Sequence, residues 1–440
     1  MNEVELFDAV GIGIGPSNLS LAALLEPLKD FRAVFLERRK ELRWHPGLML
    51  PAAEIQVSHL KDLVTLVDPT SRFSFLSFLS RNKRLYRFIN AGFPRVKRTE
   101  FEQYLRWVAE QLGGMLQFDL PVDAVTVEDG MLAVHSGLRR LRARHLVLGT
   151  GLAPFIPSVA ERYEGPTVFH ASQLLEKNLQ PAGKRIAVIG GGQTGAEVAL
   201  HLLSFGVLPS DLFWISRRHN FFPLDESPFV NDLFTPSYSN FFFSLPREVR
   251  ERLIKDQKLA SDGISVHLLE TIYRRLYELE FLERASCRCR FWPGRELKGM
   301  SGRPGDWSIE LFDEITSELQ EIRVDAVILC TGYSYSIPRC LDPIRERLDL
   351  VKGEFQVNED FSICWDGPAD SRIYVQNAAR NSRGIADPNL SLIAWRSSKI
   401  ANSLAGRKIY DSEDGPTSFG WCRMEPEALG ISPSMDSMAL

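Results

Sequence analysis

Cysteine is scarce in this chain, with six among 440 residues at positions 287, 289, 330, 340, 364 and 422. So sparse a set makes no disulfide framework, and Cys287-Arg288-Cys289 lacks the C-x2-C spacing of a zinc pair, so the cysteines read as reduced structural residues. The eight histidines form no H-x3-H pair, and no protein metal site is expected. No run reaches about 18 uncharged apolar residues, which excludes a predicted membrane span. The N-terminus, MNEVELFDAV, is acidic where a secretory signal is basic, so a cytoplasmic location is expected. An excess of charge is missing too. With 52 Lys+Arg against 56 Asp+Glu the net charge is −4, which gives no broad attraction for nucleic acid or an anionic membrane and leaves only local basic patches.

What is present is an ordinary globular composition, 44% hydrophobic and 25% charged, long enough for two or three cores. Apolar, β-rich runs at 6–12, 33–37, 145–149, 186–190, 212–216 and 326–330 alternate with helical patterns and predict an α/β protein with parallel sheets. Two of these strands open glycine turns, which predicts two Rossmann-like dinucleotide-binding units. The expected division is 1–165 with 335–425 for the first unit, 166–334 for the second, and a loose tail at 426–440. Residues 44–90, rich in Trp, His, Pro and Phe, break the alternation and read as an excursion over a site. Segment 224–285 reads as an inserted helical cap, and 292–307 as turn-rich.

The first turn, VGIGIGPSNLS, has the register Gly13-x-Gly15-x-x-Asn18. Gly13 suits the tight turn and Gly15 the close approach of a pyrophosphate. Pro16, Ser17 and Asn18 open the helix, and Asn18 replaces the usual third glycine, needing more room or using its amide to bond the turn. The following strand ends in Glu37, 24 residues after Gly13, where a carboxylate accepts both ribose hydroxyls; the plain alternative is an ion pair with Arg38 or Arg39. The second turn carries a complete motif at Gly190, Gly192 and Gly195, and its second strand ends in Ser216, Arg217 and Arg218. An acid there would repel a 2′-phosphate that a guanidinium binds, so this unit is predicted to hold NADPH and the first FAD. Gly149-Thr150-Gly151 and Thr331-Gly332-Tyr333 follow strands and suit crossings between the units, or are simple turns.

The segments GIGPSNLS, WHPGLMLP, QVSHLKDLVTLVDPTSRFSFLSFL, YLRWVAE, GGGQTGAE, DESPFVNDLF, TGY and GIADPNLSLIAWR resemble the N-hydroxylating flavin monooxygenases of siderophore biosynthesis. The resemblance covers about residues 5–424. It implies hydroxylation of the terminal primary amine of lysine, ornithine, cadaverine or putrescine, with FAD, NADPH and O2, through a flavin C4a-hydroperoxide. Under it, residues 10–18, Trp44, Gln56 and Pro388-Asn389-Leu390 contact FAD, while Gly191, Gly192, Gln193, Thr194, Arg217, Ser261, Asp262 and Gly263 contact NADPH. Gln193, Thr194 and Gln56 act as supports of the reaction chamber rather than proton carriers. Lys61 and Asn231 match positions that hold a substrate carboxylate, with Ser391 beside the pocket; the plain reading of Lys61 is a surface ion pair with Asp62. Two departures stand out, His59 in place of Phe and Ser382-Arg383-Gly384 in place of Thr-His-Gly, both expected at the pocket end remote from the reacting nitrogen. The 261–263 segment is closer to the lysine enzymes, which favours a five-carbon substrate, lysine or cadaverine. Relatives of this kind form homo-oligomers, dimers or tetramers. The alternatives are a flavin monooxygenase acting on sulfur or ketones and a nucleotide-binding redox sensor.

Overall fold

A computed structural model describes residues 5–413, 415 and 419–421, so Cys422 and the expected tail at 426–440 lie outside the described residues. All six anticipated strands are present. In the first sheet, β1 (Glu5–Ile12) lies between β2 (Ala33–Leu36) and strand Arg139–Leu148, parallel to both. Leu116–Gln117 extends the sheet beyond β2, and Ile373–Val375 returns from far along the chain to pair in parallel with Arg139–Leu148. An antiparallel pair, Ala124–Glu128 and Met131–Ser136, completes the other edge. Helix α1 (Pro16–Leu25) is buried from Ser17 to Leu25 because it is covered on both sides, by the sheet and by the C-terminal helix Ile393–Ala405. Its sequence is accordingly apolar around most of its circumference, and Pro16 sits in the first turn, where no amide donor is lost.

The second sheet runs in the order Arg288–Pro293, Asp211–Ser216, Arg185–Ile189, Ala326–Leu329 and Val168–His170, all parallel. Apart from the edge strand Arg288–Pro293, its strands are buried on both faces, which explains their apolar runs. Ile186, Val188 and Trp214 point toward helices Gln193–Leu203 and Val266–Tyr277. Their neighbours Ala187, Ile189 and Ile215 point toward an antiparallel sheet of Arg295–Arg303, Asp306–Asp313 and Leu319–Val324. The 292–307 segment is therefore not a run of turns. It forms the end of one strand and a hairpin whose Leu297 and Met300 are buried, with turns only at Gly294 and around Gly305. Its glycines mask the pattern because a register shift between Leu297 and Gly299 breaks strict alternation.

Two helices, α2 (Phe75–Arg81) and α3 (Leu85–Ala91), form within the 44–90 excursion, which then leads into α4 (Arg98–Leu112). The helical segment 224–285 divides its packing. Val266–Tyr277 lies on Gln193–Leu203 of the second unit, whereas Pro236–Ser244 and Arg247–Asp256 lie on Arg380–Arg383. The two expected crossings meet as a short antiparallel ribbon, Ala153–Pro154 with Tyr333–Ser334. Thr331 donates its hydroxyl to the Phe155 carbonyl, and the Gly332 carbonyl accepts from the Phe155 amide at 2.9 Å. Among the described residues, no helix is long and apolar enough to cross a membrane.

Candidate active site

At the first turn Gly13 has φ 89°, and a Cβ there would collide with the Gly149 carbonyl of the adjacent strand. Asn18 is fully buried. Its Nδ2 donates to the carbonyls of Gly13 at 2.8 Å and Ile12 at 3.2 Å, so the amide draws the helix onto the strand where a glycine would have allowed direct contact. Glu37 accepts the Ile14 amide and the Arg39 amide, each at 3.0 Å, and makes no ion pair with the guanidinium of Arg38 or Arg39. In front of Gly15 the space is open, and no side chain caps the N-terminus of α1. Uncapped amides facing open space, next to a carboxylate, fit a dinucleotide phosphate and ribose.

Behind this turn lies a sealed polar network. Arg396 and Asp387 form an ion pair at 2.9 Å, both almost wholly buried. The guanidinium also donates to Gln376 Oε1 at 2.9 Å, Asn377 Oδ1 at 2.7 Å and Ser17 Oγ at 3.2 Å. Gln376 in turn donates to the Ser17 carbonyl and to Asn18 Oδ1. Residues more than 350 positions apart thus fix the first glycine turn from below. No local pattern in the sequence announces this.

The second turn is held by close packing. A Cβ on Gly190, where φ is 136°, would strike the Cys330 carbonyl; on Gly191 it would strike Ser216, and on Gly195 the Gly190 carbonyl. The Trp214 indole donates to the Gly190 carbonyl at 2.9 Å. Gly192 has room, and no side chain caps the helix that follows it. Beyond Ser216, Arg217 is exposed and makes no ion pair among the described residues, while Arg218 donates to the Asp262 carbonyl at 2.8 Å. Ser261 bonds the Asp262 carboxylate at 2.8 Å, and Gly263 passes so close to Leu224 that no side chain fits. Burial, then the nearby Arg218, Arg217 and Arg380, hold the Lys258 ammonium below the ordinary lysine range despite Asp262. Lys258, Arg217, Arg218 and Arg380 thus outnumber the one acid, Asp262, and leave local positive charge in excess.

A cavity of about 250 Å3 is lined by Trp44, Gln56, Gln193, Thr194, Tyr333, Asn389 and Leu390. Its walls are tied across the two units. Gln56 donates to Ser265 Oγ at 3.4 Å, and Ser265 donates its amide and hydroxyl to Gln193 Oε1 at 2.9 and 3.2 Å. Gln193 donates to Glu197 at 3.1 Å, and Glu197 takes both arms of Arg98 at 2.9 and 3.1 Å. Arg98 also donates to the Leu48 carbonyl, closing the link to the first unit. The Asn389 side chain, next to Pro388, is taken by the amide and hydroxyl of Ser391, each at 2.9 Å. Ser391 therefore shapes the loop, with its own hydroxyl engaged.

Lys61 is half-buried, and its ammonium has no ion-pair partner among the described residues; burial lowers its pKa from the ordinary lysine value. Asp62 turns the other way. It is buried and accepts the amides of Val64, Thr65 and Phe75 and the Thr65 hydroxyl, at 2.6–2.9 Å, which rules out the surface ion pair. His59 packs its ring against Phe75 and Phe88, with centroids at 5.8 and 5.4 Å. Asn231 is exposed and donates to the Glu226 carbonyl at 3.2 Å; no contact joins it to Lys61. Arg383 is buried between the Phe243 and Phe361 rings and reaches Asn240 Oδ1 and the carbonyls of Asn358 and Glu359, so it pins the cap helix Pro236–Ser244 to the first unit. With no carboxylate bonded to it, burial brings its pKa down to about 10.

Residues 5–335 match the family described as L-lysine 6-monooxygenase/L-ornithine 5-monooxygenase. The chain is 35% identical over 419 residues to the L-lysine N6-monooxygenase of Escherichia coli, covering 94% of this chain and 98% of that protein. The FAD-bound cadaverine monooxygenase of the desferrioxamine pathway from Erwinia amylovora superposes with a TM-score of 0.86 at 31% identity, covering 94% of this chain and 98% of that one. The ornithine N-hydroxylase of Kutzneria sp. 744, solved with reduced FAD, NADP+ and L-ornithine, gives 0.84 at 30% identity, covering 92% and 100%. Two glycine turns, the second opening a helix whose Gln193 and Thr194 line the cavity, thus coincide with similarity along nearly the whole chain, and the protein is a member of the L-lysine 6-monooxygenase/L-ornithine 5-monooxygenase family.

Proposed function

We propose that the protein N-hydroxylates the terminal amine of L-lysine in the cytoplasm, as an early step in making a hydroxamate siderophore. The broader activity, NADPH- and FAD-dependent N-hydroxylation of an aliphatic diamine or diamino acid with O2, follows from the family. The reading places FAD along residues 10–18 with its ribose on Glu37, in a unit of 1–165 and 335–425. It places NADPH along Gly190–Gly195 with its 2′-phosphate on Arg217, in a unit of 166–334. Bound there, the flavin supplies hydride acceptance and oxygen activation. Gln56, Gln193 and Thr194 line the junction and keep water from it, and the tie from Gln193 through Glu197 to Arg98 holds the two walls in register. Only a neutral amine attacks oxygen, and a lysine-like amine at pH 7.5 is neutral in about one molecule in a thousand, a deficit of roughly 4 kcal/mol. Desolvation in an apolar pocket offsets this without a general base.

The observation that carries the choice of lysine is the unpartnered ammonium of Lys61. A substrate carboxylate gives it the counter-ion it lacks, whereas the second ammonium of cadaverine is repelled. The test is hydroxylamine formation from lysine, ornithine, cadaverine and putrescine with the wild type and with Lys61→Ala. Lysine should be preferred, and the substitution should raise its KM about ten- to a hundredfold, the value of a charge-assisted hydrogen bond, while sparing cadaverine. Preference for cadaverine with no response to Lys61→Ala would move the assignment to a diamine.

A further inference from the structure

Charge is segregated along this chain. Residues 69–99 contain no Asp or Glu and eight Lys or Arg, although the whole protein carries −4. Five of the eight are neutralised within the fold: Arg72 by Glu26, Arg84 by Glu100, Arg95 by Glu226, Lys97 by Glu54 and Arg98 by Glu197. Arg81, Lys83 and Arg87 have no ion-pair or side-chain hydrogen-bond partner among the described residues, and all three are exposed. They surround α3, a helix with no buried residue. Its inner positions Leu85 and Phe88 rest on the core, but its outer positions are apolar instead of polar: Tyr86 is 85% and Ile89 64% exposed. Phe93, whose ring touches Phe88 at 5.9 Å, and Leu76 on the adjacent α2 are also exposed.

An isolated surface helix with its apolar side outward is costly unless something covers it. We propose that α2 and α3 form a docking surface for an anionic lipid bilayer, with Tyr86, Ile89 and Phe93 entering the headgroup boundary and Arg81, Lys83 and Arg87 reaching the lipid phosphates. The charge pattern selects this occupant. Aromatic and aliphatic tips flanked by free cations are the pattern of interfacial binding, in which apolar burial and attraction to anionic headgroups add. A second exposed apolar stripe among the described residues, Tyr273, Tyr277 and Phe281, has its cations Arg274 and Arg275 already paired with Glu270, Glu278 and Glu283, with Glu280 beside them, so it offers no free positive charge for such a surface. The ring contact of Phe88 with His59 sets the docking face beside the strip that bears Lys61, so a docked enzyme turns that side toward the bilayer.

The test is flotation of the FAD-loaded protein with vesicles of phosphatidylcholine alone or with about one third phosphatidylglycerol. Binding is expected only with the anionic vesicles and should weaken as salt rises. Lys83→Glu with Arg87→Glu, and separately Tyr86→Ser with Ile89→Ser, should each lower the bound fraction, the charge reversal by about tenfold or more, with NADPH oxidation in free solution unchanged. Absence of binding at low salt, or binding insensitive to both pairs, overturns the proposal. So does a change in sedimentation of the lipid-free protein on Tyr86→Ser with Ile89→Ser, which assigns the face to a second copy of the chain.

Discussion

The two glycine turns do the same geometric work with different materials. Under the first, buried polar side chains interlock: Asn18, Ser17, Gln376, Arg396 and Asp387 form one connected network. Under the second, Gly190 and Gly195 allow direct backbone contact, and the Trp214 indole supplies a side-chain hydrogen bond to the loop. At the ends of the strands that follow, the contrast continues. Glu37 is already oriented by two backbone amides, while Arg217 projects into solvent with nothing to hold it. A turn fixed from beneath with a pre-oriented carboxylate suits a nucleotide that stays bound. An open turn with a free guanidinium suits one that exchanges each cycle.

That contrast is tested most severely from below. Arg396→Met strands the buried Asp387 carboxylate and should destabilise the protein by about 3–5 kcal/mol, with FAD content falling in parallel. Trp214→Phe under the second turn removes one hydrogen bond and part of a buried ring packed on Phe221 and Phe291, and should cost about 2 kcal/mol. Thermal denaturation of both variants measures the difference, and equal losses would erase the distinction drawn between the two supports.

Alkaline pH probes Lys61 rather than either turn. Burial depresses the Lys61 pKa, so the ammonium proposed to meet a substrate carboxylate is present below the lowered value and lost as pH rises through it. KM for lysine should therefore rise on the alkaline side, beginning below the ordinary lysine range, while kcat climbs as the substrate amine loses its proton. Unfolded Lys61 binds its proton more tightly than folded Lys61, so its contribution to stability increases over the same interval and does not mimic the loss. A KM that stays flat until the unperturbed lysine range would detach Lys61 from the substrate.

What the sequence made legible was local. The strands, both glycine turns and the opposite charges at residues 37 and 217 are readable because strand, turn and helix follow one another within about 30 residues. The 292–307 hairpin was obscured by its own glycines and a register shift. The inward turn of Asp62, which leaves Lys61 alone, depends on amides as far along as Phe75. The Arg98–Glu197 tie and the Arg396 network join residues about a hundred and several hundred positions apart, and neither has a periodic or motif signature. Arg383, a departure expected at the far end of the pocket, proves to be a pin between the cap and the first unit, a role that requires Phe243 and Phe361 to be in place.

The most direct measurement is a crossed titration, in which Glu37→Ala and Arg217→Ala are each titrated with FAD and with NADP+. The account predicts that the first weakens FAD and spares NADP+, and that the second weakens NADP+ about ten- to a hundredfold and spares FAD. If either substitution weakened both nucleotides equally, or neither, the division of labour between the two turns would be contradicted.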